Sequence, residues 1–301
     1  MTPNKKMIEN EMRHLQDRIC NELEILDGEG HFIEDLWQRN EGGGGRTRTF
    51  SGKVIEKGGV NFSAVHGKTP KKILTALQLE ESDFFATGVS IVLHPFHPLV
   101  PIIHMNVRYF EMSNGTYWFG GGIDVTPHYI DMPGALKFHR SLQTLCDKYD
   151  PQFYTRFKKW ADEYFYLPHR QENRGIGGIF FDRLNHTSES LSKAELHKFI
   201  IHLGNQFVPL YRPFVLDNIN KPYVEKHKDW QFHRRGRYVE FNLVWDKGTK
   251  FGLDTGGRTE SILMSLPPQA AWTYDHQIEE NSEEAKTQAI LGLGAFPLNF
   301  P

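Results

Sequence analysis

The sequence predicts an α+β fold built on an antiparallel sheet. Helical segments come as a block between two groups of strand-like segments, which is the order expected for an antiparallel sheet rather than a doubly wound parallel one. The second group of strands is joined by short glycine-containing turns, which favours a meander. No linker-like stretch divides the 301 residues, so we expect a single domain covering 1–301.

Each element follows from a local pattern. Residues 8–26 carry apolar side chains every three or four positions, which predicts an amphipathic helix that ends at Gly28. Residues 39–53, with glycines at 42–45, are expected to form a loop. Alternation and composition then predict strands at 87–93, 99–111 and 116–120, helices at 133–149 and 151–167, a strand at 177–182, a helix from 191, and strands at 237–245, 249–254 and 259–266.

Composition excludes several classes of protein. The 35 basic and 37 acidic residues give a net charge of −2, which argues against a protein built mainly to bind nucleic acid. No apolar run reaches the roughly 20 residues of a membrane helix. The N-terminus lacks the features of a signal or transit peptide, so a cytoplasmic location is expected. Cys20 and Cys146 match no metal-binding spacing and are expected to be free buried thiols.

One predicted strand has a polar face. Alternation puts His104, Asn106 and Arg108 on one side of the 99–111 strand and apolar residues on the other. Such a face is either a solvated surface or the wall of a polar cavity. Ser90 and His94 share one face of the preceding strand, so the two strands together indicate one site.

Two glycine-rich segments add to this site. Asp124 follows three glycines and is either a turn cap or a carboxylate presented into a cavity. Arg258 follows Gly256 and Gly257 and is either a surface residue of a hairpin or an anion clamp. Two arginines, one acid and a histidine fit a small ligand with several carboxylates, with proton transfer by His104.

Several long segments resemble a known family. The stretches GVSIVLHPFHPLVPIIHMNVRYFE, WFGGGIDVTPHYI, RGIGGIFFDRL and RGRYVEFNLVWDKGTKFGLDTGGRTESILMSLPP are similar to segments of the oxygen-dependent coproporphyrinogen-III oxidases. GGGGRTR and GGVNFSAVHG also fit, and the resemblance covers about residues 10–275. It implies a large, rather flat antiparallel sheet with helices on both faces, in a homodimer formed through about residues 238–273.

The resemblance also implies an activity. The enzyme would oxidatively decarboxylate two propionates of coproporphyrinogen III to vinyl groups, giving protoporphyrinogen IX, with O2 as co-substrate and CO2 and H2O2 released. His104 matches the proton donor, and Asp124 matches the acid thought to hold pyrrole N–H groups. The implied substrate contacts are Ser90, Asn106, Val107, Arg108, Gly256, Gly257 and Arg258.

The resemblance leaves the metal open. His94, His104, His139 and His169 match positions assigned to a divalent metal in bacterial members, whereas other members are described as needing neither metal nor organic cofactor. From the residues alone, His139 lies in the apolar stripe of a predicted helix, where a hydrogen-bonded core histidine is the competing interpretation. A metal-dependent oxygenase using the histidines and a non-catalytic tetrapyrrole-binding protein are therefore alternatives.

The sequence departs from the family pattern at a few positions. His97 stands where the family usually has Asn, and Arg183 stands where a second acid usually follows Asp182. The C-terminal residues 276–301 diverge, which leaves their packing as a question for the structure.

Overall fold

The fold is organised around one seven-stranded antiparallel sheet. The computed structural model describes residues 2–69, 74, 82–254 and 256–298. The strands of the sheet are β1 (Ile33–Gln38), β2 (Gly43–Phe50), β3 (Ile55–Lys68), β4 (Asp83–Pro95), β5 (Ile102–Met112), β6 (Tyr117–Thr126) and β9 (Gly177–Leu184), with a separate hairpin of β7 (Tyr166–Leu167) and β8 (Glu172–Asn173). They follow the order β1-β2-β3-β4-β5-β6-β9, and every pairing is antiparallel. The predicted α+β class with an antiparallel sheet is therefore confirmed.

Helices cover both faces of this sheet, as expected. They are α1 (Lys5–Asp27), α2 (Met132–Cys146), α3 (Phe153–Tyr164), α4 (Lys193–Asn205), α5 (Phe207–Asn218), α6 (Glu225–Glu240), a π-helical turn (Phe241–Trp245), α7 (Lys247–Asp254), α8 (Thr259–Leu263) and α9 (Glu283–Leu291). Among the described residues, no helix is both long enough and apolar enough to cross a membrane.

The main core lies on the α1 side of the sheet. Strand alternation directs Val60, Ile91 and Met105 to this side, where they join the apolar stripe of α1, and all three are fully buried. Asp27 closes the end of α1 by accepting hydrogen bonds from the backbone N–H groups of residues 30 and 53–55. Cys20 and Cys146 are buried and unpaired, as predicted.

The opposite face of the sheet, which we call the site face, is covered by the segment from α6 to α8. Tyr238 of α6 meets the ring of His94 edge-on, with centroids 5.2 Å apart. Met264, just after α8, lies on Gly59 of β3, where a Cβ atom would stand 1.5 Å from the Met264 sulfur. Glycine at position 59 is therefore what allows this close approach.

The predicted strands at 237–245, 249–254 and 259–266 are wrong, because α6, the π-helical turn, α7 and α8 occupy most of these residues and none of the described ones lies in a strand. Its β-branched and aromatic residues suit a strand by propensity, but tertiary packing decides here. Trp230, Arg234, Tyr238 and Phe241 recur every three or four residues and are all buried, which is the spacing of one helix face.

One further expectation needs correction, and the structure also shows how the C-terminal residues pack. Within the predicted loop at 39–53, residues 43–50 instead form β2, and only the residues before and after this strand are irregular. At the C-terminal end, Phe296 stacks on His139 with centroids 5.4 Å apart, and Thr287 accepts a hydrogen bond from the backbone of Ile130. Thr287 and Phe296 of the divergent segment thus pack onto the same core as the rest of the chain.

Candidate active site

The register of the central strands brings most of the predicted site residues onto one face. Ser90 of β4 lies opposite Asn106 of β5, which lies opposite Gly122 of β6. One step along, His104 lies opposite Asp124. The prediction that the two polar strand faces form one surface is confirmed, and the side chains of Ser90, His104 and Asn106 are partly exposed on it.

Asp124 lies between a histidine and an arginine. One carboxylate oxygen is 2.8 Å from Nδ1 of His104, and the other accepts a hydrogen bond of 2.5 Å from Arg174. Asp124 and Arg174 are each only 2% exposed. In this state the carboxylate is the partner of a histidine and an arginine, and its expected contact with substrate N–H groups stays a prediction.

The Arg174 guanidinium is enclosed by aromatic rings. Its central carbon lies 4.5, 4.6 and 4.7 Å from the ring centroids of Phe165, Tyr238 and Phe241, and Asn242 accepts a further hydrogen bond of 3.0 Å. Such cation–π contacts stabilise a desolvated cation. The arrangement holds the positive charge in a fixed place directly behind Asp124.

This charge keeps Asp124 ionised. Burial alone would raise the pKa of Asp124, but the Arg174 guanidinium and the contact with His104 lower it below its usual value. An ionised Asp124 accepts a hydrogen bond from Nδ1–H of His104, which fixes the tautomer of the imidazole. Nε2 is then the nitrogen that can exchange a proton with a ligand. The His104 side chain is 24% exposed, so a ligand can reach it.

A second carboxylate faces the same histidine. Asp246 follows the π-helical turn and accepts hydrogen bonds of 2.7 Å from Tyr164 and from the backbone and hydroxyl of Thr249. Burial raises the pKa of Asp246, but these hydrogen bonds and the proximity of His104 lower it overall. Asp246 also caps α7, which begins at the next residue.

Arg108 lies on β5, four residues after His104. We call His104 and Asp124 the dyad. Arg108 donates hydrogen bonds to Asp182 at 2.8 Å and to Asn106 at 3.0 Å. A Cβ atom on Gly120 would stand 2.5 Å from the Asp182 carboxylate and 2.8 Å from Nε of Arg108. Glycine at this position therefore provides the room in which the ion pair lies.

The remaining predicted contacts are less close to His104. Val107 points to the opposite face of the sheet, where its side chain is fully buried in the core, so only its backbone could meet a substrate. Arg258 lies at the β1–β2 edge of the site face and pairs with Asp35. Gly256 adopts a left-handed backbone with φ of 68°, and the N–H of Gly257 donates to Gly252.

The four histidines do not fit a shared metal ion. Both ring nitrogens of His139 are engaged, with Tyr154 and with the carbonyl of Ile176, which is the core role considered above. His169 contacts Glu240 and Trp245, and Nε2 of His94 contacts the carbonyl of Ser265. Within the described ranges, no three His, Cys, Asp or Glu side chains are grouped as metal ligands.

Sequence reasoning missed Arg174, Asp246, Tyr164 and Asp182. Arg174 stands directly before Gly175-Ile176-Gly177-Gly178, and an arginine before a glycine-rich strand entry was the available signal. Asp246 directly follows the segment 237–245 that was predicted as a strand, so its role as a helix cap was not expected. Arg234 and Arg235 are fully buried in α6 and pair with Glu172 and Glu56.

Comparison with known proteins places this arrangement in a family. The family model described as coproporphyrinogen III oxidase matches residues 7–293, which extends well into the segment expected to diverge. The chain is 48% identical over 294 residues to coproporphyrinogen-III oxidase 1, chloroplastic, of Arabidopsis thaliana, covering 92% of this chain and 75% of that protein. It is 46% identical over 296 residues to the oxygen-dependent coproporphyrinogen-III oxidase of Prochlorococcus marinus (strain NATL1A), covering 90% of this chain and 84% of the relative.

Proposed function

Since the chain belongs to the coproporphyrinogen III oxidase family, we propose that it carries out the oxygen-dependent decarboxylation of coproporphyrinogen III to protoporphyrinogen IX. The relatives that match along most of the chain are named coproporphyrinogen-III oxidases, and the two from Prochlorococcus marinus are named as oxygen-dependent. The chain is thus an oxidoreductase of porphyrin biosynthesis.

The reaction fixes what the site must do. Each propionate, as a carboxylate, reacts with one O2 and one proton to give a vinyl group, CO2 and H2O2. The Cα–carboxylate bond breaks, and the β-carbon loses hydrogen and two electrons, which pass to O2. Because the substrate itself supplies the electrons, we propose O2 as co-substrate without an organic cofactor.

The observation that carries this proposal is the dyad of His104 and Asp124 on the site face. Nε2 of His104 is the group that would deliver or remove the proton, because Asp124 holds Nδ1. Arg108, 37% exposed, would contact a propionate beside it. Ser90 and Asn106 lie in the same row, where their polar groups would meet the substrate.

The two alternatives are less well supported. A histidine-based metal oxygenase needs ligands that converge, and His94, His139 and His169 each make separate contacts. A tetrapyrrole carrier has no need of a buried arginine that keeps a carboxylate ionised next to a histidine.

We propose that a homodimer forms through the 238–273 region. Phe241 and Met264 are buried within the chain and cannot supply the interface. Instead, the segment after α6 exposes a group of large apolar side chains, each 40–49% exposed: Leu243, Val244, Trp245, Phe251 and Leu253. These residues lie inside the 238–273 region and give a second copy an apolar surface to cover.

Turnover of coproporphyrinogen III tests the function directly. Purified protein should convert the substrate in air-saturated buffer, measured as protoporphyrin fluorescence after oxidation of the product, with one CO2 and one H2O2 for each vinyl group. Protein that binds coproporphyrinogen III but forms no product under oxygen would contradict the proposal.

A further inference from the structure

We propose that Asp35 is an internal carboxylate that occupies the Arg258 guanidinium and is exchanged for a propionate of the substrate. This inference rests on the proposed function, because it takes Arg258 as a substrate contact. Asp35 lies on the edge strand β1, and its carboxylate accepts a hydrogen bond from Arg258. A carboxylate on a guanidinium is the same contact that a propionate would make.

The position of Asp35 connects it to the rest of the site. Through the register of the sheet it lies opposite Thr47, which lies opposite Asn61, and this row continues to Ser90 and Asn106. Neighbouring strands are about 4.8 Å apart, so β1 and β5 are separated by roughly 19 Å. Arg258 and Arg108 therefore lie at opposite ends of the site face, with Ser261 of α8 covering Thr47 and Asn61 between them.

Arg258 does not depend on Asp35 for its place. Ser261, one turn further along, is held by hydrogen bonds of 2.9 Å with Thr47 and with Asn61. Met264 adds the close packing on Gly59 described above. The backbone that carries Arg258 is thus anchored to β2 and β3, and removing the charge of Asp35 should alter what the guanidinium binds rather than where it lies.

The Arg258–Asp35 pair is much more exposed to solvent than the Arg174–Asp124 pair. The Arg258 and Asp35 side chains are 30% and 51% exposed, whereas those of Arg174 and Asp124 are both 2% exposed. Ion pairs open to solvent contribute little to stability, so one carboxylate can replace another. A buried pair cannot be opened without a large cost. Arg258 can therefore exchange Asp35 for another carboxylate, whereas Arg174 stays paired with Asp124.

The test is the Asp35→Asn variant, which keeps the shape and removes the competing charge. At low ionic strength, where such charges are least screened, KM for coproporphyrinogen III should fall about two- to five-fold, with a much smaller change in kcat. The matched control is Glu34→Gln. Glu34 is the neighbouring residue, points to the other face and pairs with Arg48, so it makes the same change in net charge without touching the site.

A second measurement ties the effect to Arg258. In an Arg258→Ala background, Asp35→Asn should no longer lower KM, because the guanidinium for which Asp35 and the propionate compete is absent. Asp35→Ala should behave like Asp35→Asn in both backgrounds. An unchanged or raised KM in Asp35→Asn, an equal fall in Glu34→Gln, or a fall that persists without Arg258 would each overturn the inference.

Failure of the function can be told apart from failure of the inference. If the unaltered protein does not turn over coproporphyrinogen III, the proposed function is wrong. The exchange is then measured by titrating the protein with coproporphyrin III, the oxidised tetracarboxylate, and following its fluorescence. Tighter binding by Asp35→Asn than by the unaltered protein and Glu34→Gln would still support exchange, and equal binding by all three would overturn it.

Discussion

Replacing Asp124 by Asn tests the centre of the site most directly. The change preserves size but removes the charge that lies between Nδ1 of His104 and the Arg174 guanidinium. An amide can donate its N–H to Nδ1, which would favour the wrong histidine tautomer. Loss of one preorganised electrostatic group lowers kcat about 100- to 1,000-fold, and in serine proteases the same change to the triad Asp costs about 10,000-fold. We expect kcat to fall at least ~100-fold and KM to change far less.

The same substitution should also lower stability. Arg174 would remain buried without its counter-charge, and breaking a buried ion pair costs roughly 3–5 kcal/mol. Because the folded-state pKa of Asp124 lies below its ordinary 3.8, the pair contributes its stability above that pH and loses it only in stronger acid. At neutral pH the full effect should appear in urea unfolding.

A double variant separates the two effects. Asp124→Asn with Arg174→Met places an apolar side chain among the three aromatic rings and removes the stranded charge, so much of the stability should return while kcat stays low. The control is Asp27→Asn. Asp27 is another buried carboxylate, on the other side of the sheet, with four backbone partners. It should lose stability and keep its kcat.

Turnover is measured by porphyrin fluorescence under air at saturating substrate, alongside unfolding curves. If folded Asp124→Asn retains more than about half of the original kcat, the role given to the dyad is wrong. If Asp27→Asn loses kcat as strongly as Asp124→Asn, the effect is general destabilisation rather than chemistry.

Three further predictions follow from the same contacts. Arg258→Ala should raise KM about 10- to 100-fold, the scale of one charge-assisted pair, and an unchanged KM would exclude Arg258 as a substrate contact. Burial lowers the pKa of His139 from 6.5 to about 4, so the unfolded state binds one more proton there between these values, and His139 should contribute up to roughly 1.4 kcal/mol per pH unit to the fall in the free energy of unfolding as the pH drops. Urea unfolding curves of His139→Gln should show a slope with pH that is shallower by that amount, and an unchanged slope would refute the assignment. Gly59→Ala should displace Met264 from β3 and lower the melting temperature, because the new Cβ would overlap the Met264 side chain. Adding Met264→Ala should restore part of the melting temperature, and no recovery would mean that the two side chains do not overlap.

The central strands could be predicted because their burial follows the alternation of the chain. His104, Asn106 and Arg108 share one face in the structure because side chains on a strand point alternately to its two sides. The same local rule brought Ser90 to that face. For Val107 the rule already indicated the core side, and there the residue lies.

The region from 237 to 266 could not be predicted from local preference. Residues such as Val239, Phe241 and Val244 favour strands, yet the helix is set by what Trp230 and Tyr238 pack against. Asp124 shows the same limit at the level of one side chain. Its position after three glycines was visible in the sequence, but its partner Arg174 lies 50 residues away, and no local pattern reveals that contact.

The enclosure of Arg174 ties activity to the completion of folding. Its ring contacts come from Phe165 and from Tyr238 and Phe241, while its counter-charge comes from β6. These groups span well over a hundred residues of chain, and contacts between such distant residues carry the largest loop-closure cost. The dyad is therefore backed by a buried, desolvated arginine only after α6 has closed over the sheet. A chain that ends before residue 238 can form its central strands but lacks two of the three rings that enclose Arg174. Such partly assembled molecules should therefore be inactive and should form no H2O2.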